Sequence, residues 1–406
     1  MGYQVDAAAQ GRLGAFFSSV GDALRNKKRR ECFAIYASGL LSSLERKSIE
    51  PIAAAACADP AVCDAEHQRL LHFAANAPWD DGAVRRVAAR YAVDAMQTRA
   101  PVRSWIIDDT GFLKKGQHSV GVQRQYSGTA GKIANCQIGV SLSVATAHAH
   151  MPIDFELYLP EAWTSDAARC RASKVPDTVS FKTKYELAVD MITRAVEAGI
   201  PGEIVLADAD YGRRREFRRA VRSLGLHYAV GVEDQLTVCR VDTRERAFGE
   251  RISLRKLAAA LPSDRYRRVT WREGTQRKLA SRFAFCRVNL TEEGRFDAVE
   301  TDPVWLIIEW PEEEASPTKF SLTSLPRATP KRQMVRILKE RWRTEQAYQE
   351  MKTELGLDHF EGRSFRGWHH HISVVLCCYA FVVAERMRRF SPSRAATNRH
   401  AVGVAA

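Results

Sequence analysis

The chain has 406 residues, and at roughly 150 residues per domain that length holds two or three domains with a sizeable core. With 45% apolar and 27% charged residues it is neither a disordered nor a fibrous sequence. Lys and Arg outnumber Asp and Glu by 61 to 48, and the formal charge of +13 makes a polyanion the leading class of partner.

Residues 1–100 read as helical. Apolar residues at Phe33, Tyr36, Leu40, Leu41 and Leu44 repeat at helical spacing. An alanine-rich stretch before Asp59-Pro60, then His67–Ala75 and Asp81–Met96, predict further short helices separated by turn residues. Lys27, Lys28, Arg29 and Arg30 form the densest basic run here, a solvated helix face or a contact to DNA.

From Pro101 the pattern turns to strands. Ser104 to Asp108 is a short apolar run ending in acids, His118–Tyr126 alternates, and Cys136–Ala145 is β-rich. Arg124 to Cys136 is rich in Gly, Ser and Thr, which suits either an approach to DNA or a hairpin turn. Residues 182–199 predict a helix closed by Gly199, followed by a strand ending at Asp208, a basic helix from Arg213 to Leu224 and a strand over Leu226–Val232. This order predicts an α/β fold, a mixed sheet flanked by helices.

Residues 233–326 depart from that alternation. Strand-like pieces at Arg267–Trp271, Arg282–Asn289, Val304–Trp310 and Phe320–Thr323 predict a β-rich insertion. Lys331 to Leu355 then reads as one uninterrupted helix ending at Gly356. The apolar run from Ile372 to Ala384 is shorter than the ~20 residues that span a bilayer, so a buried helix and no membrane association are expected. Residues 327–390 thus form a helical C-terminal part and 391–406 a flexible tail. No secretory signal is visible, Gly2 lacks the Ser or Thr that myristoylation wants at position 6, and the nine cysteines are scattered. Reduced thiols in a cytoplasmic protein are expected.

Two apolar strands end in acids, Asp108 with Asp109 beside it and Asp208 with Asp210 close by. Carboxylates at the carboxyl ends of adjacent strands reach one divalent cation, although Asp also serves as a simple turn former there. On the long helix Arg341, Glu345 and Lys352 fall on one stripe, either a metal-holding acid between phosphate-binding cations or ordinary intrahelical ion pairing. Three consecutive histidines, His369 to His371, point in different directions on a helix and are expected at the surface or near phosphate, not around a metal.

The layout of strand Asp, second strand Asp, β insertion and helical Glu resembles that of the DDE transposases, whose catalytic core is RNase H-like. The helical signature Y-x2-R-x3-E-x6-K reads here Leu338-x2-Arg341-x3-Glu345-x6-Lys352, with Leu in place of Tyr. Asp108-Asp109-Thr110-Gly111-Phe112, Lys114-Lys115-Gly116 and Ala207-Asp208-Ala209-Asp210-Tyr211-Gly212 are similar to the insertion-sequence-701 group.

The resemblance implies an RNase H-like core over 101–232 and 327–390, interrupted by the insertion and preceded by a helical domain (1–100) that binds terminal inverted repeats. It implies a catalytic and metal-binding triad of Asp108, Asp208 and Glu345. Asp109 and Asp210 are the alternates: Asp108 lies two residues before Thr110, and Asp208 precedes x-x-Tyr-Gly. Two Mg²⁺ ions, with Mn²⁺ able to substitute, would serve hydrolysis at the element's ends, and the freed 3′-OH would join target DNA. Arg341 and Lys352 match the family's phosphate-gripping cations, and Tyr348 is the candidate replacement for the missing signature Tyr. Trp305 and Trp310 are candidates for stacking a flipped base or for core packing. The same resemblance implies double-stranded DNA as partner, a homodimer in the synaptic complex, and action in the bacterial cytoplasm at the nucleoid. The rival readings are an RNase H-like nuclease that cuts without joining, and an inactive relative kept as a DNA-binding repressor.

Overall fold

The computed structural model describes residues 7–242, 244, 247–273, 278–290 and 303–389. The tail expected from Ser391 onward and Gly2 lie outside the described residues.

Five helices open the chain: α1 (Ala7–Leu24), α2 (Lys27–Leu41), α3 (Ile49–Ala56), α4 (Pro60–Ala75) and α5 (Asp81–Gln97). Four strands follow, β1 (Ser104–Leu113), β2 (Gln123–Ser127), β3 (Lys132–Ala145) and β4 (His150–Tyr158). Short helices α6 (Glu161–Thr164) and α7 (Ala167–Ala172) lead to α8 (Lys184–Glu197), β5 (Ile204–Ala207), α9 (Ala209–Gly212), α10 (Arg215–Ser223) and β6 (His227–Val232). The insertion supplies β7 (Thr237–Val241), β8 (Ala247–Ser253), α11 (Leu254–Ala260), β9 (Arg267–Glu273), β10 (Lys278–Leu290), β11 (Val304–Trp310) and β12 (Lys319–Thr323). The described residues close with α12 (Lys331–Leu338), α13 (Trp342–Leu355) and α14 (Phe365–Arg389).

β3 pairs antiparallel with β1 on one side and with β4 on the other, while β1, β5 and β6 run parallel. The core order β4-β3-β1-β5-β6, with helices against it, is the mixed sheet of an RNase H-like fold. Ile107, Val140, Leu142, Val205 and Val230 are fully buried, as strands covered on both faces require.

The insertion is not a detached module. β12 pairs antiparallel with β6, so the sheet continues through β12, β11, β10, β7 and β8. That junction joins residues about ninety positions apart, which local periodicity does not encode. The helical N-terminal region is equally continuous with the rest: one cluster of buried side chains runs from Phe16 through Trp105 to Met387. α14 forms its spine and packs against α5, α2, α4 and β4.

α14 is long and apolar enough to cross a membrane by length and composition, yet its most apolar window is 94% buried within the protein. This agrees with the buried helix expected there. The histidine triplet on α14 corrects the sequence reading, because all three rings are buried. His371 Nδ1 meets the Tyr36 hydroxyl at 2.8 Å and Nε2 the Gly356 carbonyl at 2.9 Å. His370 stacks on Trp79 with ring centroids 3.6 Å apart, and His369 Nε2 is 3.3 Å from Glu156. A helix enclosed on every side buries all three directions in which consecutive residues point.

The helix predicted over 331–355 is also divided. A 3₁₀ turn at Lys339–Arg341 separates α12 from α13, and Gly356 ends α13 in the left-handed region at φ 66°.

Candidate active site

β1 does not stop at Asp108, as its apolar run suggested; it continues through Asp109 and Thr110 to Leu113. In the parallel pairing Ser104 lies opposite Ile204 and Ile106 opposite Leu206. Two residues further along, the same register brings Asp108 level with Asp208, which follows β5 and caps α9. Asp208 Oδ1 accepts the backbone N–H groups of Asp210 at 3.0 Å and Tyr211 at 3.4 Å, the ordinary role of Asp at a helix start.

One oxygen each from Asp108, Asp109 and Asp208 lies within 4.8 Å of the others. Strand alternation turns Asp108 toward α13 and Asp109 toward α8. Asp208, just past the end of its strand, is reached from both. Each strand acid has its own cation. Arg341 Nη1 donates to Asp108 Oδ1 at 2.7 Å, and the Lys184 ammonium donates to Asp109 Oδ2. Lys184 opens α8, whose start is fixed by a capping box between Thr183 and Glu186.

Burial pushes the Asp108 carboxyl up to about 8; Arg341 opposes this, while Asp109, Asp208 and Glu345 reinforce it. Asp208 is also raised, first by burial and then by Asp109. Burial works against the charge on Lys184, yet Asp109 more than offsets it and the ammonium is held above its usual range. Three carboxyl groups thus share this site with two cations, Arg341 and Lys184. The donors are all carboxylate oxygens, with no His or Cys among them, which fits a hard divalent ion such as Mg²⁺ or Mn²⁺.

Glu345 departs from the expected triad. Its carboxylate stands outside the three-acid cluster, its side chain is 67% exposed, and it lies 3.9 Å from Arg341 Nη2. Asp109, expected only as the alternate to Asp108, takes the third place. Glu345 nevertheless borders the same groove as Asp208 and Arg341, together with Leu338, Lys339 and Trp342. An exposed side chain on α13 keeps the rotamer freedom to turn inward. Asp210 lies at the surface beside Arg213, outside the cluster.

The other predicted contacts are engaged within the protein. Lys352 Nζ donates to Thr110 Oγ1 at 2.9 Å, the Gly111 carbonyl at 2.8 Å and Thr129 Oγ1 at 3.2 Å, using its full donor set. Tyr348 does not reach out as a stand-in for the signature Tyr. It is buried, and its hydroxyl meets Ser141 Oγ at 2.5 Å, on the β3 residue paired with Asp108. Trp310 is half-buried, with Arg282 over its ring at 3.8 Å and its indole N–H on the Glu314 carbonyl at 2.9 Å. Trp305 is half-buried against an apolar cluster with Phe283 and Met334.

Lys27, Lys28 and Arg30 are exposed and Arg29 half-buried in the first turn of α2, which Asn26 caps. Sequence reasoning missed Lys184 and Ser141; a lysine directly after the N-cap Thr of a Thr-Lys-x-Glu capping box was the available signal for the former.

The chain matches the family model of the DDE superfamily endonucleases over residues 19–278, a span that includes Asp108 and Asp208 and stops before Glu345. It is 30% identical over 203 residues to the "Probable transposase for insertion sequence element IS701" of Microchaete diplosiphon, covering 50% of this chain and 48% of that one. The chain thus spans about half the length of the curated relative it matches. With its paired strand acids on an RNase H-like sheet, the chain belongs to the DDE superfamily endonucleases.

Proposed function

We propose that this protein is a DNA transposase that moves an insertion sequence by cut-and-paste chemistry. It would hydrolyse phosphodiester bonds at the element's ends and use the freed 3′-OH to join target DNA. The observation that carries the reading is the convergence of Asp108, Asp109 and Asp208 within 4.8 Å, between the cations Arg341 and Lys184.

Asp108 and Asp208 would hold the divalent ions, with Asp109 beside them and Glu345 turning inward to complete the set. Bound Mg²⁺ or Mn²⁺ supplies activation of water and stabilisation of the leaving oxygen. Arg341, freed from Asp108 as the site loads, meets a non-bridging phosphate oxygen through a charge-assisted hydrogen bond. Lys352 braces β1 behind the acids through Thr110 and Gly111. The basic first turn of α2 would contact the terminal inverted repeats. Its cations oppose the helix dipole, and a phosphate nearby removes that conflict. Two copies would hold the two ends in one synaptic complex.

The test uses the full chain with duplexes taken from the DNA that flanks its coding region. Asp108→Asn, Asp208→Asn and Glu345→Gln should each lower cleavage in Mg²⁺ at least a hundredfold while end binding persists. Pre-cut ends bearing a 3′-OH should join a target plasmid. Cleavage without joining makes the protein a nuclease only, and unchanged cleavage by Glu345→Gln removes that residue from the triad.

A further inference from the structure

The β2–β3 hairpin carries features that the catalytic assignment does not use. β1 stops pairing with β3 at Leu113 opposite Cys136, whereas β2 stays paired with β3 out to Ser127 opposite Lys132. The hairpin is therefore a two-stranded ribbon beyond the end of β1. It is not loose. Ser127 is fully buried, and its hydroxyl fills the space where a Cβ on Gly111 would lie, 2.2 Å away. Thr129 Oγ1 accepts the Gly111 N–H at 3.3 Å and a Lys352 proton at 3.2 Å. The turn is thus tied to β1 two residues past Asp109.

One face of this anchored ribbon is open. Tyr126 and Ile133 are direct cross-strand partners on it, 65% and 62% exposed, and Arg124 lies two residues along on the same side. An aromatic and a β-branched side chain paired in water form an apolar platform that no other described residue covers. The charge around the platform selects its occupant. No Asp or Glu occurs between Asp109 and Asp154, and Lys115, Arg124 and Lys132 are exposed in that stretch, while Lys114 is turned inward to the Phe360 carbonyl. A basic rim around an aromatic surface is how proteins hold unpaired nucleobases and their phosphates.

We propose that this hairpin is a DNA-stacking wedge beside the catalytic acids. The Tyr126 ring, backed by Ile133, receives an unstacked base next to the scissile phosphate, while Arg124 on the same face contacts a flanking phosphate. The inference rests on the transposase reading for the identity of the DNA, though the wedge itself is testable on any duplex end.

The experiment uses full-length protein in EDTA, so that cleavage is silent, and end duplexes carrying 2-aminopurine beside the cleavage position. Wild-type protein should change the 2-aminopurine fluorescence saturably on binding. Tyr126→Ala should lose that change and bind about tenfold more weakly, while Tyr126→Phe and Tyr126→Trp retain both, since stacking needs the ring and not the hydroxyl. Because Tyr126 is exposed, its thermal melt should match wild type. Fluorescence and affinity unchanged in Tyr126→Ala would overturn the wedge. So would a Tyr126→Ala protein that binds DNA normally but changes its sedimentation, which would make this face a contact between copies. If the wild type binds element ends no better than random duplex, the transposase assignment fails while the Tyr126 comparison still decides the wedge. No DNA binding at all overturns both.

Discussion

The ammonium of Lys184 rests on the carboxylate of Asp109, joining the first residue of α8 to the strand that also carries Asp108. A protein that gathers Asp108, Asp109 and Asp208 so closely must hold them apart from mutual repulsion before any ion arrives. Lys184 does this on one face of β1 and Arg341 on the other. In Lys184→Gln the resident charge is gone, so Mn²⁺ should bind about fivefold more tightly, the effect of removing one positive charge several ångströms from a dication in a wet site. The ion-free protein should lose at most about 1 kcal/mol of stability, because the pair is partly exposed. Calorimetric titration with Mn²⁺ checks the first expectation and urea unfolding in EDTA the second. Weaker Mn²⁺ binding would mean that Lys184 serves to orient Asp109.

Asp208 depends on how closely α9 approaches β6. A Cβ added at Gly212 would lie 1.9 Å from the Gly231 carbonyl oxygen and 2.9 Å from Val230. Backbone cannot swing aside as a flexible side chain can, so α9 must move, and Asp208 caps its first turn. Gly212→Ala should destabilise the protein by about 3 kcal/mol and reduce cleavage more than tenfold in the fraction that stays folded. Gly116 has nothing within 4 Å of its missing Cβ, and Gly116→Ala should change neither quantity. Chemical denaturation followed by a cleavage assay compares the two.

Several parts of this arrangement were readable in the sequence for physical reasons. The runs ending at Asp108 and Ala207 are apolar because both strand faces are covered, and Gly199 and Gly356 mark helix ends through their left-handed backbone. What escaped was tertiary. The pairing of β12 with β6 depends on chain segments far apart. The histidine triplet looked polar, yet each ring finds a partner inside the fold: the Tyr36 hydroxyl, the Ala74 carbonyl and Glu156. Arg341 and Glu345 lie 3.9 Å apart, as their four-residue spacing suggests, although a 3₁₀ turn places Arg341 just ahead of α13. Spacing could not reveal that Lys352 spends its protons on Thr110, Gly111 and Thr129, or that Asp109 and not Glu345 joins Asp108 and Asp208 in the cluster.

Tyr348 separates a structural role from a DNA contact. Its hydroxyl meets Ser141 inside the protein, fixing α13 against the strand opposite Asp108. Tyr348→Phe leaves the Ser141 hydroxyl without that partner and should cost about 1–2 kcal/mol in unfolding free energy. Affinity for end duplexes and its salt dependence should stay within twofold of wild type. A tenfold loss of affinity with a shallower salt slope would instead return Tyr348 to the phosphate-binding set.

Acid should weaken the fold through histidines that burial keeps neutral. Burial holds His150 down to about 3 and His370 and His371 down to about 4, against an ordinary value of 6.5. His150 Nε2 meets Thr344 Oγ1 at 2.9 Å, joining β4 to α13, and the nearby Arg343 further disfavours a proton there. Below pH 6.5 the unfolded chain takes up protons that these folded rings refuse. Their stabilisation is complete above 6.5 and is lost as pH falls toward 4, by up to about 1.4 kcal/mol per pH unit for each ring. Asp108 has the opposite sign, since its raised folded value favours the folded state as pH drops from 8 toward 4. The two contributions separate by mutation. His150→Gln should flatten the decline in unfolding free energy between pH 6.5 and 5 by about one ring's share, and Asp108→Asn should steepen it. Urea unfolding at several pH values measures both, and an unchanged slope in His150→Gln would show that the ring takes up its proton alike in the folded and unfolded chain.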